Sequence, residues 1–214
     1  MTDGRAGDAT TRDAAQRPDG AVREDKRAWR ARLRAARRDQ PPQVRAARGV
    51  ALARAVVELA AERAGGRPVC AYLPVGTEPA WAAGLDGLRA AGHEVLLPVV
   101  AQRHGPLDWA RYDGPEALGA GPIGLREPVG PRLGPAAVGR AALVLVPALA
   151  ADRCGVRLGQ GGGYYDMTLL HAAPDARLVV VLNDEELVER LPAEPHDLRV
   201  HAALLAETGL TELR

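Results

Sequence analysis

Residues 141–147, AALVLVP, run straight into residues 148–166, ALAADRCGVRLGQGGGYYD. A fully apolar run of this length, rich in Val and Leu and closed by proline, has the character of a strand buried on both faces. The loop that follows carries Gly159, Gly161, Gly162 and Gly163 ahead of what reads as a helix start. Glycines let a backbone come close to an anion, and the N–H groups of a helix N-terminus point at it. Arg157 just upstream offers charge to a phosphate, and Asp166 just downstream offers a carboxylate to Mg2+. The loop matches neither GxxxxGK[ST], since no lysine follows, nor GxGxxG, since Tyr164 stands at its last glycine position. A flexible surface turn is therefore the competing reading.

The same strand signature recurs on both sides. Residues 68–73 (PVCAYL), 94–100 (EVLLPVV) and 177–182 (RLVVVL) are short and apolar. Helical patterns lie between them and before them. Residues 23–38 place acids at the start and arginines at the end, which suits the helix dipole. After Pro41 and Pro42, residues 43–63 offer Val50, Ala53, Val57, Ala60 and Ala61 as an approximate apolar face and stop at Gly65 and Gly66. Residues 79–91 are Ala-rich and closed by Gly92. Short strands alternating with helices predict an α/β fold, a largely parallel sheet with helices on both faces. Ligands of such sheets bind beyond the carboxyl ends of the strands, which directs attention to residues 73–78, 98–103, 147–166 and 183 onward. Residues 105–139, rich in Gly and Pro, read as short strands or irregular loops. Trp81 and Trp109 are expected in or beside the core.

Composition narrows the function classes. The chain has 214 residues, 47% of them apolar, enough for one domain with a core. Lysine plus arginine number 28 against 27 acids, so no global charge demands a nucleic-acid or membrane partner. No apolar run approaches the roughly 20 residues of a membrane-spanning helix. Cys70 and Cys154 form no CxxC pair, which favours a reducing cytoplasm over a disulfide scaffold. Residues 1–21 carry no hydrophobic stretch, unlike a secretory signal, and are expected to be a disordered tail on a single domain of residues 22–214. Lys26 is the only lysine among the basic residues. Lysine is a compact point charge and arginine a broad planar fork, so Lys26 marks a place where the fork does not fit, or an accident.

With these residues laid out, the chain resembles the 5-formyltetrahydrofolate cyclo-ligase (5,10-methenyltetrahydrofolate synthetase) family. RLGQGGGYYD at residues 157–166 is the most specific segment, preceded by a strand ending in VP and by ADRCG. KRAWR, YLPVGTEPAW, GPIGLREP and PAEPHDLRV are similar to family segments in the family's order, so the resemblance spans residues 23–205. It implies a Rossmann-like α/β fold and a monomeric, cytoplasmic enzyme dependent on ATP and Mg2+. It also implies the reaction. The formyl oxygen of 5-formyltetrahydrofolate attacks the γ-phosphate of ATP, N10 then closes the ring, and 5,10-methenyltetrahydrofolate, ADP and phosphate result.

The resemblance further implies residue roles. Lys26 and Arg30 match residues that hold ATP phosphates, and their i, i+4 spacing puts both on one helix face. Arg157, Leu158, Gly159, Gln160, Gly161, Gly162, Gly163, Tyr164 and Tyr165 match the nucleotide loop, with Gln160 to Tyr164 also bordering the folate. Asp166 and Asp197 match Mg2+ carboxylates, while Leu73 and Glu78 match folate contacts. Lys26 and Arg157 are the candidate catalytic groups. Gln160 and Met167 depart from the family's usual residues.

Plainer readings stand beside these. Residues 23–48 hold ten basic and three acidic side chains. Such an excess also suits a solvated face or an RNA-binding module, although aromatics beyond Trp29 are missing. A folate- or nucleotide-binding relative without turnover is the other alternative. His196 is expected to orient its loop, and Glu127 is a candidate lining residue.

Overall fold

The computed structural model describes residues 19–102, 105–194 and 197–214, with side chains from Asp25 onward except that of Ile123. His196 and tail residues 1–18 lie outside the described residues. Two long helices come first, α1 (Asp19–Asp39) and α2 (Pro42–Arg63), so α1 begins four residues ahead of the expected start. Then follow β1 (Val69–Cys70), α3 (Ala83–Ala90), β2 (Val95–Val99), β3 (Asp108–Arg111), β4 (Leu118–Ala120) and β5 (Arg126–Pro128). The second half contains β6 (Leu143–Pro147), β7 (Ala150–Asp152), β8 (Arg157–Leu158), α4 (Tyr164–Thr168), β9 (Arg177–Leu182), β10 (Leu187–Val188), β11 (Ala202–Leu205) and β12 (Gly209–Glu212).

Seven strands form the main sheet in the order β12-β11-β9-β6-β1-β2-β3. The inner pairs β1/β2, β1/β6, β6/β9 and β9/β11 are parallel, and only the edge pairs β2/β3 and β11/β12 are antiparallel. The expected α/β architecture is observed. Alternation along the inner strands divides the core into two layers. Val69, Val95, Leu97, Leu143, Leu145, Val179 and Val181 pack with Leu52, Val56 and Leu59 of α2 and Leu85 and Leu88 of α3. Cys70, Leu96, Val144, Val146, Leu178, Val180 and Leu182 face the other way. There the cover is slighter, a 3-10 stretch at Pro135–Arg140 and another at Leu169–His171, with Tyr165 of α4. Trp81 and Trp109 are fully buried, as expected.

The face of α2 differs from the expected one. Gly49, Leu52, Val56, Leu59 and Ala60 are buried, whereas Val50 is 74% exposed. Gly49 supplies the reason. A Cβ there would lie 2.4 Å from the Ala80 carbonyl oxygen, so α2 approaches the chain closely at that glycine and rotates accordingly. The third helix is shorter than its sequence pattern because Trp81 leaves the helical path to pack edge-on against Tyr72, ring centres 5.1 Å apart.

α1 docks differently from α2 and α3. Leu33, with Trp29 beside it, packs against Leu149, Ala150, Val156, Leu158 and Leu191. These belong to the β10-β7-β8 sheet and its connections, which sit beyond the carboxyl ends of the main strands. Arg37 anchors the same face. Its Nε and Nη2 donate to Glu186 at 2.6 and 2.8 Å, and Nη2 also donates to the Ala148 carbonyl at 2.7 Å.

Candidate active site

The chain runs from β1 outward through β2, then crosses to β6 and continues the other way through β9 and β11, so the sheet reverses its winding between β1 and β6. A cavity of about 580 Å³ opens there, against Leu73 after β1, Pro98 and Val100 at the end of β2, and Pro147 and Ala148 at the end of β6. Crevices of this kind are where open α/β sheets take ligands. Every residue given a phosphate, metal or folate role from the resemblance lines it: Lys26, Arg30, Leu73, Glu78, Arg157 through Asp166, and Asp197.

One end is built from ion pairs. Lys26 lies on the buried face of α1, and its Nζ donates to Glu194 Oε2 at 2.7 Å and to Asp197 Oδ2 and Oδ1 at 2.8 and 3.1 Å. The lysine side chain is 9% exposed, so its ammonium donors are spent on two carboxylates. Glu194 and Asp197 also bond each other: the Glu194 N–H donates to Asp197 Oδ2 at 2.7 Å and the Asp197 N–H to the Glu194 carbonyl at 3.0 Å. At the same end Arg157 Nη2 donates to Asp166 Oδ1 at 2.6 Å, with the arginine buried and the aspartate half-buried. Arg157 Nε is also buried and makes no hydrogen bond to protein.

The glycine loop is clasped from outside by α1. Arg30 Nε donates to the Gly159 carbonyl at 2.9 Å, and Arg34 donates to the Gln160 side-chain oxygen at 2.9 and 2.8 Å and to its carbonyl at 3.1 Å. Gln160, the departure in the loop, thus has its own partner. Burial lowers the Arg30 guanidinium from its ordinary value and Arg34 adds like charge, while Asp197 and Glu194 oppose both. Gly161 at φ 103° and Gly163 at φ 71° hold the left-handed conformations that bend the loop. The helix it opens, α4, has only five residues. The expected helix N-terminus is therefore a minor contributor, and charge for an anion comes from side chains and loop N–H groups.

The other end is apolar with two buried carboxylates. Glu78 Oε2 accepts the Val75 N–H at 3.0 Å, and burial raises its pKa above the ordinary glutamate value. Glu127 Oε1 accepts the Val100 N–H at 2.9 Å, and Glu127 is 5% exposed. Tyr165, whose hydroxyl burial pushes well above its usual value, makes no hydrogen bond to protein through that hydroxyl. A ligand with several N–H donors and a flat apolar body suits this end.

Sequence reasoning missed Glu194 and the inward role of Arg34 and Arg37. Glu194 carried a signal, since it sits three residues before Asp197 inside PAEPHDLRV. No helical period marks that segment, so nothing showed both acids meeting Lys26. Metal donors are present but sparse. Among the described residues no three His, Cys, Asp or Glu side chains gather as a cage. Mg2+ uses one or two carboxylates and completes its shell with water and substrate phosphates, so Asp166 and Asp197 fit an ion arriving with a nucleotide.

A glycine loop beside Lys26, Arg30 and Arg157, in one cavity with buried carboxylates at the switch point of a mostly parallel sheet, is the layout of an α/β enzyme site. The chain belongs to the 5-formyltetrahydrofolate cyclo-ligase family, whose model matches residues 22–206. It is 48% identical over 153 residues to the 5-formyltetrahydrofolate cyclo-ligase of Mycolicibacterium smegmatis, which covers 70% of this chain and 78% of that one. The NMR structure of Aquifex aeolicus 5,10-methenyltetrahydrofolate synthetase matches with a TM-score of 0.69 and 27% identity, over 88% of this chain and 93% of that one. A 5,10-methenyltetrahydrofolate synthetase from Mycoplasma pneumoniae, 15% identical with a TM-score of 0.66, covers 84% of this chain and 97% of its own and shares the fold.

Proposed function

We propose that this chain converts 5-formyltetrahydrofolate to 5,10-methenyltetrahydrofolate with ATP and Mg2+, releasing ADP and phosphate. The observation that carries the reading is that one cavity has both an ion-paired end and a buried-carboxylate end, on a chain that belongs to the cyclo-ligase family.

The residues divide the work. Arg30, Arg157 and the loop from Gly159 to Gly163 hold the phosphates, and Lys26 supplies a point charge beside them. Phosphoryl transfer requires positioning and charge neutralisation more than covalent help, and this set supplies both. Asp166 and Asp197 hold the metal ion, which when bound neutralises phosphate charge. At the other end Glu78 accepts hydrogen bonds from the N–H and amino groups of the reduced pterin, and Leu73 and Tyr164 border its rings. Tyr165 and the apolar wall keep water from the activated formyl group. Lys26 and Arg157, which would hold phosphate, are each paired with a carboxylate that would hold the metal, Asp197 and Asp166 respectively.

The protein is read as a cytoplasmic monomer without nucleic-acid or membrane partners. Among the described residues no helix is long and apolar enough to cross a membrane. Lys26, Arg30, Arg34 and Arg37 spend their charge on internal contacts, which weakens the case for an RNA-binding face on α1.

The test is direct. Purified protein with Mg2+, ATP and 5-formyltetrahydrofolate should release ADP only when the folate is present, with rising absorbance from the methenyl product. Neither signal appearing would reject the reading.

A further inference from the structure

The phosphate end of the cavity presents three cations, Lys26, Arg30 and Arg157, and three carboxylates, Asp166, Asp197 and Glu194. Two of the carboxylates have a role in the proposed function. Glu194 has none, yet its Oε2 makes the shorter of the two ion pairs to Lys26, 2.7 against 2.8 Å. Its side chain is 12% exposed, so its charge is poorly screened by water.

Without Glu194 the cluster would carry a net positive charge and attract any polyanion. With it the cations and carboxylates balance. A metal-free triphosphate carries two more negative charges than its magnesium complex, so a carboxylate at the phosphate site repels the free form more strongly. The same carboxylate also favours the cation of the complex. Because it sits on Lys26, Glu194 keeps the ammonium in place when Asp197 turns to a metal.

We propose that Glu194 is a specificity-determining residue that makes nucleotide binding depend on the metal, by cancelling one cation of the phosphate end while orienting Lys26. The inference rests on the nucleotide reading of the site given above.

The experiment measures binding by calorimetry, independent of turnover. The probe is the non-hydrolysable β,γ-imido analogue of ATP, titrated in excess EDTA and in excess Mg2+. The quantity compared is the ratio of the two affinities. In Glu194→Gln the metal-free affinity should rise by about three- to tenfold, the size of one partly screened charge interaction. Affinity for the magnesium complex should stay level or fall, so the ratio drops. Glu194→Asp keeps the charge and should keep a ratio near that of the parent. Glu194→Ser, which removes charge and bulk together, should behave as Gln does. Measuring it in parallel keeps the test alive if one variant folds poorly by circular dichroism. A parent that gains affinity with Mg2+, and a Glu194→Gln variant with an unchanged ratio, would overturn this inference alone. A parent that binds the analogue under neither condition would overturn the nucleotide reading and this inference with it.

Discussion

Arg37 offers a sharp test of how α1 is held over the site. Its guanidinium is 1% exposed and meets Glu186, 3% exposed, through two hydrogen bonds, with a third to the Ala148 carbonyl on the cavity wall. Glu186 also accepts from the Asn183 N–H at 2.9 Å and from its side-chain amide at 3.0 Å. Arg37→Leu keeps the apolar stem and removes the charge, leaving Glu186 buried with only the asparagine's two donors. Breaking a buried pair by removing one partner costs about 3–5 kcal/mol, because the remaining charge loses its compensation. For a chain of this size that corresponds to a fall in Tm of about 6–20 °C. Urea denaturation of Arg37→Leu, Glu186→Leu and the double variant closes a double-mutant cycle. The double variant should cost less than the sum of the singles by about 2 kcal/mol, since neither charge is then stranded. It should not return to the parent's stability, because Asn183 and the Ala148 carbonyl lose partners. A loss under 1 kcal/mol for Arg37→Leu, or strict additivity, would refute the reasoning. The functional counterpart is a raised KM for ATP at temperatures where the variant is still folded, since Lys26 and Arg30 ride on the helix that Arg37 anchors.

Three further outcomes are expected. Lys26→Arg should raise the ATP KM severalfold or more, because a planar fork cannot reproduce three short contacts from one nitrogen to Glu194 and Asp197; steady-state kinetics matching the parent would show that the lone lysine is an accident. Asp166→Asn should shift the Mg2+ dependence of the reaction to higher concentration, read as the midpoint of a metal titration, and an unmoved midpoint would remove Asp166 from the metal site. Glu78→Gln should raise the folate KM and also change stability with pH. Burial raises the Glu78 pKa in the folded protein, so the folded state binds the proton more tightly and its stability falls as pH rises from the ordinary glutamate value to the raised one. The Gln variant lacks that decline and should melt higher than the parent above this window, while thermal scans with parallel pH profiles would contradict the assignment.

Much of the fold was legible because inner strands of a parallel sheet are apolar on both faces. RLVVVL coincides with β9, and AALVLVP contains β6. The β11–β12 end of the sheet was not legible. β11 and β12 are short and Ala-, Gly- or Thr-bearing, with no run long enough to stand out. The α2 face was misjudged for a related reason, since in an Ala-rich helix the close approach at Gly49, and not side-chain hydropathy, sets the rotation. The residues that line the cavity were legible in a different way, through the glycine-tyrosine-aspartate segment and the four weaker segments around it. The missed ones, Glu194, Arg34 and Arg37, lie in segments that were recognised, but local sequence does not say which of their side chains meet residues more than a hundred positions away.

By itself the sequence determined the alternation of strands and helices, the glycine loop between an arginine and an aspartate, and the isolation of one lysine among arginines. Each of these is local, a matter of neighbouring residues and their conformational freedom. Which way the basic helix faces was decided only by tertiary structure. Lys26, Arg30, Leu33 and Arg37 occupy one stripe at helical spacing, and the same stripe could have met water or a polyanion. It turns inward because carboxylates more than a hundred residues away, Glu186, Glu194 and Asp197, are carried to it by the ends of the sheet. A desolvated cation is tolerable only where such partners converge, and that convergence is a property of the fold.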